Sequence, residues 1–224
     1  MPQKSQEEIM HLLSLTAKAL EKNNMQAIIV KTKEEACIEA EKLMPKGSSV
    51  TMGGSVTIKE CGIADMVKNG NYDFLDRSKP GLSPSDIKEI YRKSFFCDTY
   101  LSSSNAITQN GELYNVDGNS NRVAAMLYGP EQLIVVAGYN KIVKNIDEAA
   151  LRVKTKAAPP NCERLGIDNY CRMQGKCVSL NNETSEICDG CSSDSRICCN
   201  YVIMSHQKIK NRVKVILVAE ELGY

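Results

Sequence analysis

The chain has 224 residues, with 28 Lys and Arg against 27 Asp and Glu and a formal net charge of +1. This length suits one large domain, and a balanced charge without a block of five like residues argues against nucleic acid or an anionic membrane surface as partner. No stretch approaches the roughly 20 apolar residues of a membrane span, and the polar start Met1-Pro2-Gln3-Lys4-Ser5-Gln6 carries no signal-peptide core, so a cytoplasmic protein is expected.

In chain order, Ile9, Leu12, Leu13, Thr16 and Leu20 recur at helical spacing and predict an amphipathic helix over residues 5–22. Residues 25–30 read as a short buried strand. Ala36, Cys37, Ala40, Leu43 and Met44 give a second helix, closed by Pro45-Lys46-Gly47. Residues 49–52 predict a strand running into Gly53-Gly54-Ser55 and a helix over 56–61. That turn leaves backbone N–H groups free at a helix start. Residues 72–75 follow as a strand, Ser83-Pro84 launch a helix to about 95, and 97–101 form another strand. The Ser-, Asn- and Gly-rich stretch 102–121 reads as a hairpin-like insertion lining a cleft. A short helix over 122–127 precedes the apolar run 133–137, a strand covered on both faces. Residues 147–156 are helical, with Pro159-Pro160 as the stop, and 213–218 form a second buried strand. Helices alternating with apolar strands imply a three-layer, doubly wound α/β fold with a mostly parallel sheet. One domain is expected over 1–224, with residues 159–205 a cysteine-rich insert before the last strand.

Of ten cysteines, seven fall between Cys162 and Cys199. Disulfides do not persist in a reducing compartment, so metal ligation is the better account. Cys171-x5-Cys177, Cys188-x2-Cys191 and Cys198-Cys199 supply thiolates at spacings that reach a common ion. The residues between them are turn formers too polar to build a core, so cross-linking by a metal would order them. Four thiolates suit zinc and an iron–sulfur cluster alike. The two histidines, His11 and His206, have no partner in the sequence for a Cys–His hydrolase.

The motifs MGGSVT at 52–57, LSSSNAIT at 101–108, GELYNVDGNSNRVA at 111–124, GYNKIV at 138–143, APPN at 158–161, GKC at 175–177 and RICC at 196–199 together resemble the LUD-type, lactate-utilization family. The resemblance implies the fold of the sugar-phosphate isomerase and CoA-transferase superfamily, and a role in converting lactate to pyruvate alongside iron–sulfur subunits. Relatives have a shorter segment between the equivalents of Cys177 and Cys191. The expected ligands are therefore Cys171, Cys177, Cys191 and Cys198, with Cys188 and Cys199 as substitutes.

A small carboxylate or phosphate would be met by Gly53, Gly54 and Ser55 facing Ser102, Ser103, Ser104 and Asn105. Neither a dinucleotide-binding nor a P-loop glycine motif is present. Asp117 and Glu112, in the polar insert, and Asp98, after Cys97 in a strand, are the candidate catalytic carboxylates, because a CoA-transferase-like reaction needs a carboxylate nucleophile. Three functions compete: a component of lactate oxidation with iron–sulfur partners, a stand-alone enzyme on a small carboxylate, CoA ester or sugar phosphate, and a non-catalytic structural zinc protein. A homo-oligomer is compatible with each.

Overall fold

A computed structural model describes residues 4–224; the first three residues of the polar start, Met1-Pro2-Gln3, lie outside the described residues. Helix α1 (Gln6–Lys22) begins with a capping box, in which Ser5 Oγ accepts from the Glu8 amide at 3.2 Å and the Glu8 carboxylate accepts from the Ser5 amide at 2.7 Å. Its stripe of Ile9, Leu13, Thr16, Ala17 and Leu20 is buried. Strand β1 (Gln26–Val30), helix α2 (Lys33–Leu43) and strand β2 (Ser49–Met52) follow. The helix expected over 56–61 is present and turns at Gly62, whose φ of +72° suits a glycine, into a second one. These are α3 (Val56–Glu60) and an unforeseen α4 (Ile63–Asn69). Strand β3 (Asp73–Phe74), helix α5 (Pro84–Lys93) and strand β4 (Thr99–Ser102) complete the first half.

The second half contributes β5 (Ala106–Thr108), β6 (Leu113–Asp117), α6 (Asn121–Leu127), β7 (Gln132–Gly138) and β8 (Ile142–Val143). Then come α7 (Ile146–Arg152), α8 (Ala158–Leu165), α9 (Tyr170–Gln174), β9 (Asn200–Met204) and β10 (Val213–Val218). Six strands form a parallel sheet in the order β1-β10-β7-β4-β2-β3. Along β7, Leu133, Val135 and Ala137 join α1 and α6 in one core, while Ile134 and Val136 join α2, α3 and α4 in the other. This alternation along a strand buried on both faces makes the three-layer, doubly wound α/β fold.

The predicted hairpin is β5 against β6, antiparallel with Ala106 opposite Tyr114. It grows into a second sheet, β8-β5-β6-β9, whose outer strands were not foreseen. This sheet packs Ile107 and Leu113 toward α1, and Ala106, Tyr114 and Val116 toward α7.

Pro159-Pro160 does not stop the helix as expected. Both prolines sit in the first turn of α8, where a missing N–H costs little. The link from α7 is a π-helical turn, Val153–Ala157, in which the Ala158 amide donates to the Val153 carbonyl. The Lys154 carbonyl, which a regular α-helix would pair with the Ala158 amide, accepts instead from the Cys177 amide at 2.8 Å. Of residues 159–205, 159–165 lie in α8 and 200–204 in β9, and the cysteine-bearing stretch between them holds only the short α9 and a 3-10 turn over Val178–Asn181.

Candidate functional site

The chain moves outward from β2 to β3, then returns through β4 toward β7 and β10, so a crevice opens beyond the carboxyl ends of β2 and β4. In open α/β sheets that is where ligands bind. A cleft of about 950 Å³ lies there, lined by Gly53, Gly54 and Ser55 after β2 and by Ser103, Ser104 and Asn105 after β4. The two predicted loops do face each other. Lys59, Arg77, Arg122, Lys141, Arg164 and Arg196 reach the lining, against the carboxylates of Asp76, Asp117 and Asp194. Even without the buried Lys141, five cations against three side-chain carboxylates make the cleft a receptor for anions.

Each expected residue has a definite place. Gly53 is required by close approach, since a Cβ there would stand 3.0 Å from Arg122 Cδ and 3.2 Å from the Tyr100 hydroxyl, and its amide is taken by the Leu101 carbonyl. Gly54 lies under Arg77, whose Nη2 would be 2.7 Å from a Cβ; Arg77 in turn donates to the Tyr91 hydroxyl at 2.8 Å. Ser55 caps α3, accepting from the Ile58 amide. Ser102 is a correction: it is fully buried, its hydroxyl turned to the Ser103 carbonyl and Met126 Sδ, and it does not line the cleft. Ser104 ties the hairpin together through the Ala106 and Tyr114 carbonyls. Asn105 Oδ1 accepts from the Val116 amide and from Arg122 Nη2.

The three candidate carboxylates are occupied or elsewhere. Asp117 is bound by Arg122, Nε to Oδ1 at 3.0 Å, and caps α6 by accepting from the Arg122 and Val123 amides. Arg122 also donates to Asn115 Oδ1 at 2.6 Å and to the Ser103 and Val116 carbonyls, so the pair is a structural bracket between the loop after β4, β6 and α6. Glu112 accepts from the Thr108 hydroxyl at 2.6 Å in the turn between β5 and β6, outside the cleft. Asp98 sits at the amino end of β4, opposite the cleft. The Ser49 hydroxyl and amide, each 2.7 Å from Oδ2, hold its carboxyl below the usual carboxylate range. None is placed as a free nucleophile.

Sequence reasoning missed Lys141, in the turn between β7 and β8. It is 4% exposed, lines the cleft, and donates from Nζ to Thr57 Oγ1 at 2.8 Å and Ser103 Oγ at 3.0 Å. Burial, then Arg152 and Arg122 nearby, lower its pKa to about 7. Among the described residues no carboxylate stands within 4.0 Å of it. Lys141 falls within the GYNKIV stretch, but nothing in that stretch marks its lysine as reactive; only the crossing of the loops reveals it.

The four expected ligands, Cys171, Cys177, Cys191 and Cys198, line one narrow cavity, and Cys162 of α8 joins them as an unforeseen fifth. The proposed substitutes are not among them: Cys188 is exposed and outside the cavity, and the exposed Cys199 faces the cleft. All ten cysteines are free thiols. Arg196 organises the loop, donating to the carbonyls of Cys188, Cys191 and Cys198 at 2.8–3.0 Å. Asn169 Nδ2 donates to Cys162 Sγ at 3.1 Å and the Ser179 hydroxyl to Cys177 Sγ at 3.4 Å. The Cys171 thiol, hydrogen-bonded to the Cys177 sulfur, is pushed up, while Cys171 and then Ser179 hold Cys177 down.

Among the described residues, no three His, Cys, Asp or Glu side chains are already arranged to hold a metal ion, so ligation requires the thiols to turn inward. The donor set nevertheless fits a thiolate-held centre. Buried Lys154 and half-buried Arg196 line the same cavity with no carboxylate within 4.0 Å among the described residues. Four thiolates around a divalent centre carry the negative charge that such cations require. Val153, Ala158, Arg196, Ile197 and Cys198 line both this cavity and the cleft, so the two share a wall.

The fold and site define an α/β protein with an anion-receptive cleft at the ends of its parallel strands and a thiol-lined cavity behind it. The LUD domain matches residues 13–218, and the chain belongs to the LUD-domain family, in that sense a lactate-utilization-associated protein. Among solved structures, a DUF162 family protein from Deinococcus radiodurans is similar at 14% identity and a TM-score of 0.48, covering 96% of this chain and 99% of its own. eIF2B beta from Chaetomium thermophilum is similar at 16% identity and a TM-score of 0.35 over 50% of this chain and 43% of its own. No curated protein matches the chain. No described helix is long and apolar enough to cross a membrane.

Proposed function

We propose that this chain serves in lactate-to-pyruvate oxidation in the cytoplasm, taking a small carboxylate in the cationic cleft beside a thiolate-held iron–sulfur or zinc centre and working with iron–sulfur subunits of that oxidation. Family membership supports the pathway. The observation that carries the reading is the wall shared by cleft and thiol cavity, with Cys198 and Arg196 in it. Cys171, Cys177, Cys191 and Cys198 would hold the centre, with Cys162 available as a fifth sulfur. An iron–sulfur cluster would supply one-electron exchange there, and zinc would supply cross-linking and charge. The chain's own residues do the rest. Arg77 and Arg164 attract the carboxylate, and Arg122 fixes the loops that present them.

Purification without oxygen, followed by metal analysis and absorption spectroscopy, tests the centre. Brown protein with iron and sulfide supports an electron-transfer role. Colourless protein with about one zinc per chain favours a structural metal, a second reading that the mostly exposed stretch over 181–195 supports. Protein without bound metal, and with no thermal stabilisation by lactate, pyruvate or phosphate, overturns the proposal.

A further inference from the structure

The buried amine of Lys141 has a hydrogen-bond pattern that a neutral lysine satisfies in full and that would leave one N–H of an ammonium without a partner. The Thr57 hydroxyl gives its own proton to the Leu222 carbonyl at 3.3 Å, and the Ser103 hydroxyl gives its proton to the Ser104 carbonyl at 3.5 Å. Both oxygens therefore turn lone pairs toward Lys141 Nζ, which donates to each. An uncharged amine has two N–H bonds and one lone pair; the two hydroxyls saturate the N–H bonds and leave the lone pair unengaged. Gly223, where a Cβ would stand 3.4 Å from Nζ, keeps a side chain away from it. Of the charged and titratable groups around Lys141, Arg152 and Arg122 disfavour its ammonium form, whereas Glu60 and the Cys61 thiol favour it. Burial outweighs all four.

We propose that Lys141 is a nucleophilic catalytic lysine whose amine condenses with the carbonyl of a 2-oxo acid held in the cleft, giving a covalent iminium adduct. The inference rests on the reading of the cleft as a carboxylate site and adds the reacting atom. The Nζ lone pair forms the bond to the carbonyl carbon, and the C=O π pair moves to oxygen, which takes a proton. The carbinolamine then loses water as the nitrogen lone pair closes the C=N bond. Overall, amine, ketone and one solvent proton become iminium and water. The Ser103 hydroxyl, 3.0 Å from Nζ, is placed to relay that proton. Arg77 and Arg164 on the lining are placed to hold the acid's carboxylate.

The full chain is incubated with pyruvate and sodium cyanoborohydride, and the reduced product is read by intact mass and peptide mapping. One adduct per chain on the peptide containing Lys141 is expected, forming faster as pH rises through about 7, where the amine becomes neutral, and slower in the presence of phosphate. Lys141→Arg is expected to lose it. Ser103→Ala, which keeps the lysine and removes one acceptor, is expected to slow it several-fold and still map to Lys141. Labelling spread over surface lysines, or equal in Lys141→Arg, overturns the proposal. Thermal stabilisation by pyruvate and phosphate without an adduct overturns the covalent role alone. Absence of both stabilisation and adduct removes the carboxylate reading of the cleft as well.

Discussion

Replacing Arg122 by methionine keeps most of the apolar stem that packs beside Gly53 but deletes the guanidinium, and with it the bonds to Asp117, Asn115, Asn105 and the Ser103 and Val116 carbonyls. The side chains of Arg122 and Asp117 are 12% and 13% exposed, so the carboxylate left behind is poorly solvated. Removing one partner of such a pair costs about 3–5 kcal/mol. With a urea slope of about 3 kcal/mol per molar for a chain of this size, the unfolding midpoint should fall by about 1–1.7 M. Equilibrium unfolding followed by far-ultraviolet circular dichroism reads the shift directly. Adding Asp117→Asn removes the stranded charge while keeping an oxygen to cap α6, and should return at least about 1 kcal/mol. A midpoint lowered by less than about 0.3 M, or a double variant no better than the single, would refute the bracket as described.

Gly53→Ala should cost about 1–3 kcal/mol, because the new methyl meets the Arg122 stem and the Tyr100 hydroxyl in a packed wall; thermal denaturation reads it, and an unchanged melting temperature would contradict the close approach. Lys141 has a folded pKa near 7 against 10.5 for the free side chain, so the unfolded chain binds the extra proton between those values and stability from this group rises with pH across that window. Lys141→Met should therefore be more stable than the parent below pH 7, with the gap shrinking by pH 10; a gap independent of pH would show that the amine is charged in the fold. Stripping metal from anaerobically purified protein with a chelator should lower the melting temperature and open the exposed stretches 181–186 and 192–195 to protease, whereas an unchanged digestion pattern would count against a metal ordering this region.

Much of the fold was legible because the central strands are written as apolar runs. Residues 133–137 are buried on both faces, and 213–218 are interrupted only by the part-buried Lys214. Strand β9 escaped because it is partly exposed, with Ile203 open to solvent, and belongs to a sheet that exists only once the hairpin gives it an edge. The glycine and serine loops of the cleft could be placed from strand order alone. What their side chains do could not, since Ser102 and Ser104 differ from Ser103 only in which way the backbone turns them. The charge on Asp117 was visible, but its capture by Arg122, five residues on and across a helix start, was not. Cys162 stands nine residues before Cys171 without a ligand spacing, and reaches the shared cavity because α8 packs on α9.

The wide turn at Val153–Ala157 gives the helical rod α7–α8 one residue more than its length would need if regularly wound. A single-residue deletion there would let the rod rewind as ordinary helix and leave α8 at nearly the same azimuth, because the wide turn absorbs the extra residue. Cys162 would stay on the cavity's rim, but the carbonyl of Lys154 would return to its own ladder and release the Cys177 amide. The extra residue in this rod thus frees one carbonyl to tether the neighbouring thiol loop, and a shortened chain could keep both its sheets intact while losing that tether.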